Sequence, residues 1–142
     1  MLLPITLTFA ATAALLNLLL AIRVSRLRVA YKILHGDGGN VALARRMRAH
    51  ANYIEYTPFI LILAGLVELA RGSEAWLWIV ALVYIVGRAL HAFGMDKDFP
   101  SKLRQFGVLV TWATLLILAG VALYSAYQSP DRELPPAAGI HV

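Results

Sequence analysis

Arg48, Asn52 and Glu55 place a cation, an amide and a carboxylate in one long apolar stretch, at spacings of four and three residues. A helix turns about 100° per residue, so the three side chains fall within an arc of about 60° and form one polar stripe. Arg45, Tyr56 and Phe59 flank it, and the segment then runs apolar from Ile60 to Val67 before meeting Glu68. An ionisable side chain deep in a bilayer costs at least ~2.5–3.5 kcal/mol, so it normally pairs, faces a bundle interior or lines a polar cavity. Hydrogen bonding between helices as assembly glue is the simpler reading of such groups. Three different chemistries on one face exceed what glue requires, and a binding site is the stronger expectation.

A second stripe follows. Tyr84, Arg88, His91 and Met95 stand at spacings of four, three and four, again on one side of a helix. Arg88 has no local counter-ion, and Glu55 across the bundle is the expected one. His91 alone reads as an interfacial histidine, but its place beside Arg88 puts it with the site. Arg104 then opens a run from Gln105 to Gln128 that holds no formal charge. Several arginines with a carboxylate, an amide and a tyrosine suit a small zwitterion or an anionic peptide-like ligand. Its carboxylates would take arginine forks and its ammonium would meet Glu55. The residues by themselves name neither a ligand nor a reaction.

The elements that carry these groups are helices in a membrane. The chain has 142 residues, 60% of them hydrophobic and 15% charged, with uncharged runs long enough to span a bilayer. There is room for four spanning helices and little else, so the fold class is all-α, an integral membrane four-helix bundle. Leu2 to Ile22 is an uncharged run of 21 residues. It reads as the first helix rather than a cleaved signal peptide, because no positive residue precedes it and it is too long for a signal core. The loop His35 to Asn40 is glycine-rich but has neither the order nor the lysine of a phosphate-binding loop, and reads as a hinge with Asn40 or Asp37 capping a second helix from Val41 to about Leu69. A third helix is expected from Ala75 to Met95, with Trp76 and Trp78 at the interface, and a fourth over the run after Arg104, with Tyr124 and Tyr127 near its far end. That helix should stop at Ser129-Pro130. The domain is therefore 1–128, and 129–142 is expected to be a disordered tail.

The net charge of +5 could suggest nucleic acid, but the basic residues cluster beside the apolar segments, as they do in loops on the cytoplasmic side of a membrane. Eleven of the thirteen Lys and Arg residues lie toward the two polar loops, leaving Arg71 and Arg132 on the other side. Both termini are expected outside, and both stripes and Arg104 enter the bundle from the cytoplasmic face, so that three helices can deliver polar groups to one pocket. There is no cysteine, hence no disulfide, no thiolate metal site and no thiol nucleophile belonging to the protein.

The run Arg48-Ala49-His50-Ala51-Asn52-Tyr53-Ile54-Glu55-Tyr56-Thr57-Pro58 closely resembles the hallmark of the MAPEG family, the membrane-associated proteins in eicosanoid and glutathione metabolism. Gly87-Arg88-Ala89-Leu90-His91 and the basic residues after the first helix resemble it more weakly, and the likeness covers roughly residues 1–127. The bacterial members, with an Asp-Gly-Gly loop, are the most similar in wording. The resemblance implies a homotrimer in a bacterial inner membrane, with glutathione bound between neighbouring subunits near the cytosolic side. It implies that Arg48, Asn52, Glu55 and Tyr56 hold glutathione, with Glu55 at its amino group, and that His91 lines the site. Arg104 resembles the arginine that stabilises the glutathione thiolate, and Arg26 a basic residue that reaches a glutathione carboxylate. Arg88, on the same stripe as His91, completes the binding set.

The expectation is thus a membrane glutathione transferase acting on lipophilic electrophiles, with peroxidase activity as an associated capacity. Met95 and Val108 stand where some eicosanoid-making relatives carry tyrosines, which separates this chain from them. The rival expectations are a non-catalytic membrane protein that binds glutathione or another anion, and a small transporter. No broken helix or internal repeat favours the transporter.

Overall fold

A computed structural model describes residues 2–97 and 100–128. They form four helices: α1 (Pro4–Tyr31), α2 (Val41–Arg71), α3 (Ala75–Gly94) and α4 (Lys102–Tyr127). All four are long and apolar enough to cross a membrane. The tail from 129 onward, expected to be disordered, lies outside the described residues.

Helix α1 does not stop where its uncharged run does. It continues through Arg23, Arg26 and Arg28 for 28 residues in all, about 42 Å against a hydrocarbon core of ~30 Å. The run of uncharged residues marks the greasy part of the helix, while backbone hydrogen bonding carries on into the polar zone. The loop to α2 ends as expected: the Asn40 side chain accepts the Leu43 N–H at 2.9 Å, satisfying one of the free donors at a helix start. Helix α3 ends at Gly94, one residue short of Met95, and α4 begins at Lys102 with Ser101 as its cap.

Among the described residues α2 and α3 each pack against the other three helices, whereas α1 and α4 do not touch. Ile5 and Phe9 of α1, Ile60 and Ala64 of α2, Leu77, Ala81 and Tyr84 of α3 and Leu118 of α4 form the main core. Phe9 meets Tyr84 edge to face, with ring centroids 5.6 Å apart.

Two carboxylates hold the bundle ends. Glu68, 1% exposed, accepts the backbone N–H of Ile5 at 3.0 Å, that of Thr6 at 2.7 Å and the Ser73 hydroxyl at 2.7 Å. It thus caps the start of α1 from the last turns of α2, where unpaired N–H groups and the helix dipole both favour a negative charge. At the opposite, basic end Asp96 pairs with Arg23 and lies 3.6 Å from Arg46, while its carbonyl accepts from Arg45 at 3.2 Å. The Arg23 guanidinium also covers the Phe93 ring at 4.8 Å. Three helices therefore meet on one aspartate. In the short turn before α3, the Trp76 indole N–H and then Arg71 bond to Glu74 and hold its carboxyl below the usual range.

Helices α3 and α4 approach closely along glycines, as small residues permit in membranes. A Cβ at Gly107 would lie 2.5 Å from the His91 Cβ and 2.6 Å from the Gly87 carbonyl oxygen. Gly107→Ala is therefore expected to lower stability by about 1–3 kcal/mol. Thermal unfolding in detergent checks this, and an unchanged midpoint would contradict the seam.

Candidate functional site

Turn by turn, α2 presents Arg48, Asn52 and Glu55 on one side, and the structure joins them. Arg48 Nη1 lies 3.4 Å from Glu55 Oε1, and Asn52 Nδ2 lies 3.4 Å from Glu55 Oε2. The Arg48 and Glu55 side chains are 64% and 48% exposed, so the ion pair opens outward from the bundle. Tyr56 beside it is half-buried.

Beneath the stripe lies Arg88, 1% exposed. Its guanidinium forks: Nη2 donates to Asn52 Oδ1 at 3.1 Å and Nη1 to Thr111 Oγ1 of α4 at 3.2 Å. Its cationic carbon sits 5.6 Å from the centre of the Tyr53 ring, an electrostatically favourable position. Contrary to expectation, Arg88 bonds Asn52 and Thr111 rather than pairing directly with Glu55. Asn52, one turn before Glu55, stands between them and links the two charges through its amide, while Glu55 turns outward to Arg48.

Tyr84, on the same side of α3 as Arg88, is fully buried. It shares a buried hydrogen bond of 2.8 Å with Thr57, which in turn donates to the Tyr53 carbonyl at 2.6 Å. The Tyr53 hydroxyl donates to the Ala13 carbonyl at 2.7 Å. These tyrosines are polar struts within the core. Tyr53 and Thr57 lie beside Pro58, which cannot donate to the Ile54 carbonyl and weakens the helix there. His50, next to Arg48 in the motif, bonds Asn17 of α1 at 2.9 Å and so also ties helices together.

His91 is 3% exposed and packs against the bare backbone of Gly107. Arg104 is exposed on the first turn of α4, where the backbone crosses Gly94 closely. Ser101, Arg104, Gln105, Val108 and Leu109 line an open recess there. The structure brings Arg48, Asn52, Glu55 and Arg88 together, and His91, one turn after Arg88 on α3, lies within electrostatic reach of both Arg88 and Arg104 along the α3–α4 seam. Arg26 is exposed on α1 and joined to none of these residues by a hydrogen bond or ion pair. Among the described residues, the recess at Arg104 is lined by no residue of the α2 stripe. Sequence reasoning missed Thr111. It stands seven residues after Arg104, two turns along the same side of α4, and that spacing was the available signal.

A profile of the MAPEG family matches residues 6–124. The chain is also similar to Inner membrane protein YecN of Escherichia coli strain K12, at 33% identity over 111 residues that cover 78% of this chain and 83% of that protein. The YecN protein of Escherichia coli O6:H1 matches to the same extent.

Proposed function

The chain belongs to the MAPEG family, and on that premise we propose that it is a membrane-bound glutathione transferase for lipophilic electrophiles, with peroxidase activity as an associated capacity. The observation that carries the reading is the outward-facing Arg48–Glu55 pair backed by buried Arg88. A fixed carboxylate beside guanidinium groups matches the ammonium and the two carboxylates of glutathione. Arg48, Asn52, Glu55 and Tyr56 hold the tripeptide, Arg26 reaches a carboxylate, His91 lines the site and Arg88 supports it from beneath.

The same face supports a homotrimer. Below Glu55 it runs on through Phe59, Ile62, Leu66 and Leu69, all at least half exposed in the single subunit. An ion pair on a face open to lipid would be costly. A neighbouring copy covers that face and brings the remaining site groups to it. The basic end, with the site, faces the cytoplasm of a bacterial inner membrane, and both termini lie outside.

Arg104 acts on the reacting atom. A thiol with a pKa of about 8.5 is mostly protonated at neutral pH, and a guanidinium beside it favours the thiolate. The sulfur then forms a bond to the electrophilic carbon as the leaving group departs with its electron pair. The protein supplies proximity and charge stabilisation.

Calorimetric titration of detergent-purified protein with glutathione, followed by conjugation of an aryl halide, tests this reading. Saturable binding with conjugation supports it, and absence of binding at millimolar glutathione by folded protein overturns it. Glu55→Gln is expected to weaken glutathione about tenfold or more, since a charge-assisted bond to the ammonium is lost. Unchanged affinity would remove Glu55 from the site. A second reading, binding without turnover, is favoured by Met95, which packs among Leu20, Ala49, Tyr53 and Ala92 instead of offering a hydroxyl. Binding without conjugation across several electrophiles would select it.

A further inference from the structure

The guanidinium of Arg88 lies wholly inside the bundle, and its two hydrogen bonds, both from the Nη groups, lead to different helices while the buried Nε makes none. One end holds the Asn52 oxygen on α2 and the other holds the Thr111 hydroxyl on α4. Thr111 is 1% exposed, and its own hydroxyl proton goes to the Gly107 carbonyl at 2.8 Å, so the oxygen lone pairs face Arg88. A primary amide can turn over and exchange its donor and acceptor ends. With Arg88 on Oδ1, the Asn52 Nδ2 group must point to the Glu55 carboxylate. If the amide turned, two N–H groups would face a cation and an oxygen would face a carboxylate, both repulsive.

We propose that Thr111, acting through Arg88, is a positioning residue that fixes which way the Asn52 amide faces and ties the Glu55-bearing stripe of α2 to the helix that carries Arg104. The hydroxyl directs the guanidinium, the guanidinium directs the amide, and the amide presents a donor to Glu55 at the outer surface. Thr111 touches no ligand. Its effect on glutathione rests on the function proposed above, whereas its effect on the amide does not.

Thr111→Val keeps the shape of the side chain and removes the acceptor, and Thr111→Ser keeps the acceptor. Selective 15N-asparagine labelling reports the side-chain amide of Asn52, assigned by its loss in Asn52→Ser. In Thr111→Val the Asn52 amide signals are expected to move or broaden, and in Thr111→Ser to stay as in the unmodified protein. Glutathione affinity should fall about five- to tenfold in the valine variant only, with kcat for aryl-halide conjugation changing less than the glutathione KM. Arg88→Lys gives an independent reading, because one ammonium lacks the planar fork that spans Asn52 and Thr111, and the same signals should move. Unchanged Asn52 signals in folded Thr111→Val or Arg88→Lys would overturn the proposal. Moved signals in a protein that never binds glutathione would uphold the positioning role and remove the glutathione reading instead.

Discussion

Replacing Arg104 with alanine is expected to slow aryl-halide conjugation at neutral pH by about 10- to 100-fold, while glutathione affinity stays within about threefold. The separation follows from where the charges act. In the proposed site, binding is carried by groups that would meet the ammonium and carboxylates, on and around the α2 stripe, whereas Arg104 sits apart on the first turn of α4. A cation beside the sulfur lowers the pKa of the bound thiol. Without it the pKa returns upward by a unit or more, and each unit removes about tenfold of the thiolate at neutral pH. The loss should therefore shrink as pH rises toward 9, and the rate profile of Arg104→Ala should be displaced to alkaline pH. Stopped-flow thiolate absorbance and conjugation rates across pH 6–9 check both parts. Full activity at neutral pH in the alanine variant would remove Arg104 from the chemistry.

Glu68→Ala is expected to cost about 2–4 kcal/mol of stability, because it strands two helix-terminal N–H donors and the Ser73 hydroxyl away from any protein acceptor. Glu68→Gln is the informative companion. Its amide oxygen can still accept one bond but cannot serve both Ile5 and Thr6, and it loses the charge that suits the helix start. Its cost should fall between wild type and alanine. Unfolding in detergent gives the order, and equal midpoints for all three proteins would show that the cap contributes nothing. Neither variant should change glutathione affinity in protein that remains folded, since Glu68 lies at the end of α2 opposite the Arg48–Glu55 pair.

The four helices were legible because each needed an apolar run of membrane length, and Asn40 announced the start of α2 through ordinary capping chemistry. The polar stripe was legible for a related reason. A spacing of four and three allows only one side of a helix, and the Arg48, Asn52 and Glu55 contacts follow from it. What periodicity cannot give is the partner across the bundle. Arg88 and Glu55 looked like complementary charges without mates, but side-chain length and the place of Asn52 decide that the contact runs through an amide. Tyr84 shares a stripe with Arg88 and faces the same helix, but one turn away along α3 its hydroxyl meets Thr57 where Arg88 meets Asn52, a register that spacing within one helix cannot give. Glu68 carried no motif at all. Two of its three partners are backbone groups more than sixty residues away, and backbone donors look the same in every sequence.

That separation also sets an order of events during synthesis. Ile5 and Thr6 are made 62 or more residues before the carboxylate that receives them, an interval of about 3–12 s at ordinary translation rates of ~5–20 residues per second. Throughout that time the first helix must wait with its leading donors unclaimed by the protein. Glu68, which joins the first two helices as a hairpin, precedes α3 in the chain. Asp96 appears later still and secures the other end of the pair to α3. The last helix, bringing Thr111 and Arg104, thus follows in the chain both carboxylates that fasten the ends of α1.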